Sequence, residues 1–426
     1  MTEDFLHYLW RLNLVARNSL KDSDNQNIEI INAGQYNYME GPDFLNAKIK
    51  IGNQLWVGHV EIHLKSSDWY VHNHEMDANY DAVILHVVWD YNMPVFGKDN
   101  RAIPTLILKK FVSKEVINKY YNLFGNKQVW INCESQISTV DNFVINNWLE
   151  SLFIERLEQK SLFIAQLLKE TNNDWEAVFF KLLTKNFGLK ANGEAFYYLA
   201  SSLPFQVVRK VQTDLINMEA LLFGQGYLLD NHQEDTYFLQ LQSAYNYLVR
   251  KFGLKKNINV KLQFFRLRPD NFPTVRLAQL AALYHAKQNL FSEILKIKTV
   301  DEVYSLFNFT ISEYWQYHYT FKSETKAKRH KKLTKNFIDL LIINTIIPMR
   351  FVYQKAQGKN DFSDLINLIQ KIKPESNAII KHFLDLGLKI DSAFKSQSLL
   401  QLKNEYCAKK RCLHCHIGYA LLKNKS

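Results

Sequence analysis

The sequence predicts an α/β domain over residues 1–120, in the order α-β-β-β-α-β, followed by a larger all-helical domain over residues 140–426. Three observations carry this. Period-two alternation and β-branched runs gather in the first 108 residues. From Asp141 onwards apolar residues recur at three-to-four spacing, the signature of one buried helix face. The charge also divides: residues 1–115 hold 11 Lys+Arg and 15 Asp+Glu, whereas the rest of the chain is strongly basic within a total net charge of +11.

Taken in order, Glu3 to Leu14 carries Phe5, Leu6, Leu9 and Trp10 on one face and reads as an amphipathic helix. Ile28 to Ala33 is a β-branched run ending at Gly34, a strand. Phe44 to Ile51 and Gln54 to Leu64 flank Gly52-Asn53, a hairpin turn. Asp68 to Asp81 is polar and reads as helix or loop. Ala82 to Val88 is apolar almost throughout, as a strand covered on both faces should be. Ile103 to Leu108 is one more strand. The helical domain opens at Asp141, an N-cap for a helix running to Glu170. Helices ending at Gly188 and Gly253 follow, with these glycines as C-caps, and Pro273 opens another. Segments 301–321, 333–346, 361–371, 374–386 and 391–406 continue in helical style.

With 47% hydrophobic and 22% charged residues in 426, the composition is that of a globular protein and excludes disordered and fibrous classes. No apolar run approaches the ~18–20 residues of a membrane span, so no membrane partner is expected. An acidic N-terminus without a basic leader and only four cysteines point to a cytoplasmic protein with reduced thiols.

The chemistry concentrates on Gly41-Pro42-Asp43-Phe44 and Gly58-His59-Val60-Glu61-Ile62-His63-Leu64-Lys65. In a strand, His59, Glu61, His63 and Lys65 share one face and Val60, Ile62 and Leu64 the other. Hairpin pairing brings Asp43 toward Glu61. Two carboxylates so placed suit Mg²⁺ or Mn²⁺, with His63, aided by Lys65, orienting or deprotonating an attacking water. The expected catalytic set is therefore Asp43, Glu61, His63 and Lys65, with Asp43 and Glu61 as metal ligands. Pro42-Asp43, seventeen residues, then Glu61-Ile62-His63 resembles the signature of the PD-(D/E)XK nuclease superfamily, with His63 where the motif's lysine stands. The resemblance covers about residues 3–90, and it implies a restriction-endonuclease-like fold and phosphodiester hydrolysis. Over nearly its whole length the chain also resembles an uncharacterised family of bacterial proteins. Gly-Pro-Asp-Phe, Gly-His-Val-Glu-Ile-His, Asp68-Trp69, His72-Asn-His74, Glu155-Arg-Leu-Glu158, Arg268-Pro-Asp-Asn-Phe-Pro273 and the C-terminal cysteines carry that likeness.

Other histidines have plainer readings. His72 and His74 form a surface pair unless a third ligand joins them. His86, inside the apolar strand, reads as a hydrogen-bonded core residue. Glu3 would be a further carboxylate on the first helix.

Cys407, Cys412 and Cys415 fall within nine residues, and Cys133 stands alone earlier. Cys412-x₂-Cys415 is a step that presents two thiolates to one ion. With Cys133, or with His414 or His416, the set would hold Zn²⁺; all four thiolates would hold an iron–sulfur cluster. Cys412-Leu-His-Cys415-His416 matches the c-type haem pattern too, but that attachment occurs outside the cytoplasm. Reduced thiols without metal are the remaining reading.

Lys322 to Lys335 is the densest basic run, Lys409-Lys-Arg411 a smaller one, and Arg266, Arg268 and Arg276 add guanidiniums suited to phosphate. Such clusters release counterions on meeting phosphates, which makes nucleic acid a candidate partner; a solvated helix or loop surface is the plainer reading of the same charge. The functional expectation is a Mg²⁺- or Mn²⁺-dependent nuclease or an inactive relic of one. The alternative is a non-catalytic nucleic-acid-binding or scaffold protein with a structural metal.

Overall fold

The computed structural model describes residues 1–15, 20–125, 128–231, 233–321 and 323–423. The chain forms two compact units: residues 1–148 together with 402–426, and residues 149–401. The cysteine-bearing tail, expected with the helices, thus belongs to the first unit.

The first unit is built on a mixed sheet. Helix α1 (Glu3–Arg11) precedes strands β1 (Ile28–Asn32), β2 (Gln35–Tyr36), β3 (Phe44–Ile51) and β4 (Gln54–Lys65). A single turn, α2 (Asp68–Val71), leads on to β5 (Val83–Asp90), β6 (Thr105–Ile107) and helix α3 (Lys114–Phe124). The strand order is β1-β3-β4-β5-β6, with β2 paired to β3. β1, β3 and β4 are antiparallel neighbours, and β4-β5 and β5-β6 are parallel. β3 and β4 pair through the expected Gly52-Asn53 turn, with a bulge between Phe44 and Ala47 where Asn46 takes φ +56°. A bulge re-aims the residues flanking it, and Asp43 stands just before this one.

β4 is the central strand, and its middle is covered on both faces. Val60 and Ile62 are buried, as the sequence predicts for the packing face, but Glu61 and His63 are buried as well. Gly58 marks where β4 approaches β5. A Cβ there would lie 2.4 Å from the Ala82 carbonyl oxygen and 2.4 Å from the Ile84 side chain, so only glycine fits.

The second unit is helical. Helix α4 (Asn142–Glu170) contains the division between the units, and α5 (Trp175–Phe187), α6 (Leu189–Ser201), α7 (Phe205–Val211), α8 (Leu215–Gln225), α9 (Thr236–Phe252) and α10 (Pro273–Ala286) follow. Their apolar faces meet in one core containing Phe179, Leu183, Phe223, Leu280 and Trp315. Asp174 and Asp235 cap α5 and α9 through backbone N–H groups three residues on, and Gly253 closes α9 in the left-handed conformation. Gly188 differs from expectation: it is right-handed, and Leu189 takes φ +52° instead. Segment 301–321 also breaks up, into helices Val300–Leu306 and Glu313–Tyr317 and a short strand His318–Thr320 paired with Ser323–Glu324. Against the expectation that no apolar run approaches a membrane span, Lys335–Ala356 is long and apolar enough to cross one, and it is two-thirds buried inside the unit.

Candidate metal centre

The sequence of the β3–β4 hairpin and the loop after β4 assembles one polar cluster. The bulge and antiparallel register set Asp43 against Glu61: the Asp43 N–H donates to Glu61 Oε2 (3.1 Å), and the Ile62 N–H donates to Asp43 Oδ2 (2.9 Å). The parallel register places His86 opposite Glu61, and His63 Nδ1 lies 2.9 Å from His86 Nε2. After Lys65 the chain turns sharply. Ser66 Oγ donates to Asn92 Oδ1 and to the Met93 carbonyl, tying the end of β4 to the end of β5. Trp69 is fully buried, and its indole N–H donates to the Phe96 carbonyl. These anchors hold α2 in place, and Asn73, at φ +58°, turns the chain so that His72 and His74 both return to the end of β4.

The result is a group of three imidazole donors with the Glu61 carboxylate against two of them. His63 Nε2 lies 3.1 Å from His72 Nδ1, and Glu61 Oε1 lies 3.5 Å from His63 Nε2 and 3.3 Å from His74 Nε2. Donor atoms of His63, His72 and His74 all lie within 4.8 Å of one another. A tetrahedral ion with ligands at ~2.0–2.1 Å requires donor separations of about 3.4 Å. Glu61 is 5% and His63 2% exposed, whereas His72 faces solvent, so the cluster is open on one side. His74 Nε2 is buried without a hydrogen-bond partner.

Electrostatics match the donor role for the imidazoles, whereas Glu61 must give up a proton to serve as a ligand. Burial, together with repulsion from Asp43, pushes the Glu61 carboxyl well above the usual carboxylate range. Burial and the neighbouring imidazoles hold His63 far below the usual histidine value. Burial lowers His74 and, with His74 beside it, takes His86 down to about 3. Neutral imidazoles keep the lone pairs that a metal needs. A His63 ligating through Nε2 would place its remaining N–H toward His86 Nε2, an arrangement that fixes ring orientation in metal sites.

A fifth histidine arrives from α1. His7 Nε2 lies 3.1 Å from Asp43 Oδ2. Burial opposes its protonation, but the hydrogen bond and charge of Asp43 outweigh that and hold it above the usual histidine value. Beside His7 a small cleft is lined by Asp4, Arg11, Tyr36 and His414.

Asp43, Glu61 and His63 are brought to neighbouring positions, but the Asp43 carboxylate, expected as a metal ligand, is taken up by His7 and the Ile62 N–H and lies outside the histidine group. Lys65 is carried to the exposed end of β4, opposite Asp90, with its backbone N–H donating to Asp68 Oδ2. The first helix contributes His7 rather than Glu3 to Asp43. His72 and His74 are not a free surface pair, because His63 is their third partner. The available signal was the short His-x-His spacing after a strand carrying Glu-x-His.

The chain belongs to the DUF2851 family, proteins of unknown function. The family model matches residues 3–378, so it includes every residue of this cluster. No curated protein and no solved structure matches the chain.

The cysteines lie beyond or apart from that cluster. Cys407, Cys412 and Cys415 follow the segment matched by the family model, and Cys133 lies within it. All four nevertheless line one small cavity in the first unit, together with Leu123, Leu402 and Ile417. Helix His416–Lys423 packs against their loop through Gly418, where a Cβ would lie 2.1 Å from the Cys412 carbonyl oxygen. Burial, reinforced by the neighbouring sulfurs, pushes Cys133 up to about 12 and Cys412 up to about 11, and raises Cys407 further. Burial raises Cys415 as well. Such thiols stay protonated unless a cation displaces the protons.

Proposed function

We propose that the chain is a divalent-metal-dependent phosphodiester hydrolase of nuclease type, with Glu61, His63, His72 and His74 as the metal ligands. The observation that carries this reading is the grouping of His63, His72 and His74, whose ligand nitrogens all lie within 4.8 Å of one another, with the buried Glu61 carboxylate against His63 and His74 and with His72 open to solvent. The strand order supports the restriction-endonuclease-like resemblance: three antiparallel strands followed by a parallel fourth, with Asp43 opening the second long strand and Glu61-Ile-His63 in the next. Fold alone does not give function, so the donor set carries the argument.

Imidazole-rich ligation suits Mn²⁺, Zn²⁺ or Fe²⁺ better than Mg²⁺, which prefers oxygen ligands and retained waters. An ion there would lower the pKa of a bound water and polarise a phosphate oxygen. His7, positioned by Asp43, would move a proton to or from the reacting oxygens, the role the sequence assigns to His63 aided by Lys65. Arg11, lining the cleft beside His7, would meet the phosphate charge. The four cysteines support a second ion, zinc or an iron–sulfur cluster, with a structural role in the first unit.

The test is incubation of labelled single- and double-stranded DNA and RNA with the purified chain and Mn²⁺ or Zn²⁺. Cleavage that Glu61→Gln abolishes is expected. Intact substrate under all these conditions, with metal bound, would leave the non-catalytic nucleic-acid-binding reading in its place.

A further inference from the structure

The helical unit holds a cavity of about 400 Å³ that lies outside the metal centre. Two basic segments flagged separately in the sequence meet there. Arg268 and Arg276 come from the start of α10 and the turn before it, and Arg329, Lys331 and Lys332 come from the chain that precedes helix Lys335–Leu341. Arg266 points elsewhere, over Phe265, and Lys322 lies outside the described residues.

Five cations share this cavity with one carboxylate, Asp270, whose Oδ1 already accepts the Tyr319 hydroxyl (3.1 Å). Among the described residues none of the five forms an ion pair. Arg276 is the decisive one. It is 7% exposed, its Nη1 donates to Gln279 Oε1 (2.9 Å), its Nη2 donates to Asn271 Oδ1, and its plane lies 3.7 Å over the Phe337 ring. Every one of those partners is neutral, and its Nε has none. Gln279 is itself fixed by donating to the Lys331 carbonyl (2.7 Å). Lys331 holds a left-handed backbone, φ +41°, while its ammonium donates to the Trp315 and His318 carbonyls. A buried guanidinium that no carboxylate contacts is costly, and one carboxylate, Asp270, stands against five cations gathered around the same space, which adds repulsion. An anion in the cavity removes both penalties.

We propose that this cavity is a binding site for a phosphate ester. Guanidinium forks pair bidentately with phosphate oxygens, and lysines add point charges. The volume exceeds what inorganic phosphate fills and lies within the usual range for small-molecule pockets. A nucleoside carrying its phosphate fits that requirement, whether free or as part of a strand. The proposal rests on no part of the metal-centre reading, and its test uses chelator-treated protein so that the two fail separately.

The full chain is titrated calorimetrically with adenosine 5′-monophosphate, adenosine, and a ten-nucleotide single-stranded DNA with or without a 5′-phosphate. Adenosine should not bind. Binding of the monophosphate alone identifies a free nucleotide as the source. Binding of the oligonucleotide only when 5′-phosphorylated identifies a strand end, and equal binding of both oligonucleotides identifies internal phosphates. In each case Arg329→Gln and Lys332→Gln, both at exposed positions, should weaken affinity about tenfold each, the scale of a lost charge-assisted contact. Arg276→Gln should abolish binding; if that variant does not fold, the two exposed variants decide. Absence of binding to all phosphate-bearing probes at millimolar concentration, or affinities unchanged in both exposed variants, overturns the proposal.

Discussion

Glu61 Oε1 stands 3.3 Å from His74 Nε2, although thirteen residues and a reversal of chain direction separate the two side chains. Each is buried, and in isolation each is held in its neutral form, the carboxyl by a proton it would lose in water and the imidazole by the absence of one. A divalent cation between them reverses the first and exploits the second. His72→Ala and His74→Ala should therefore each reduce the metal bound per chain at least tenfold in affinity, while Lys65→Ala, at the exposed strand end, should leave it within twofold. Metal analysis after dialysis against graded chelator measures this. Equal metal content in all three variants would remove the cluster from consideration.

His7 and Asp43 should separate from the metal ligands in their effects. His7 meets Asp43, Tyr36 and Phe44. His7→Ala should retain the metal yet lower kcat about 10²–10³-fold on any phosphodiester the chain cleaves, the usual contribution of a positioned proton-transfer group. A loss of metal in His7→Ala, or kcat within threefold of the native chain, would show that His7 serves packing alone.

The cysteine cavity yields a stability prediction. If Cys133, Cys407, Cys412 and Cys415 hold an ion, their protons are displaced on loading and the binding energy becomes folding energy of the first unit. Chelation should lower the melting temperature of that unit, and Cys415→Ser should reproduce the lowered value and make it insensitive to chelator. Free-thiol titration of native protein should then count fewer than four reactive thiols before chelation and four after it. Four reactive thiols at the outset, with a melting temperature indifferent to chelator, would assign the sulfurs to ordinary packing.

The order of elements in the first unit was legible because periodicity changes with the strand: 44–51 alternates beside an obvious turn, and 82–88 is apolar on both faces. The convergence of Asp43 and Glu61 followed from the hairpin register alone. Register says nothing, however, of contacts made by α1 or by a loop, so His7 and the return of His72 and His74 were invisible. The burial of Glu61 and His63 was hidden for the same reason, since alternation assigns a polar row to an open face unless something covers it. The placement of 402–426 depended on cysteines more than 270 residues apart in the chain meeting in one cavity, which no local pattern encodes. The breaks in 301–321 were missed because its aromatic spacing also fits a helix until Tyr317, after which His318 and Thr320 pair with a second strand.

Glu219 supplies a prediction independent of any ligand. It lies fully buried in the helical unit, where its Oε2 accepts hydrogen bonds from the Tyr237 hydroxyl and from the Trp315 indole N–H (3.2 Å), and its Oε1 has no partner. Burial outweighs those donors and raises its pKa from 4.5 to about 7. Between these values the folded chain keeps a proton that the unfolded chain has lost. The raised carboxyl therefore contributes stability that is fully present below pH 4.5 and is lost as pH climbs through 7. A shift of that size corresponds to roughly 2–3 kcal/mol between pH 5 and pH 8. Glu219→Gln keeps the acceptor oxygen and removes the titration, so its unfolding free energy should fall by that much less than the native protein's over the same interval. Denaturant unfolding followed by tryptophan fluorescence at both pH values measures the difference, since Trp315 reports on this core. Identical losses in the two proteins would mean that Glu219 is already ionised when folded and that its hydrogen bonds, not burial, set its charge.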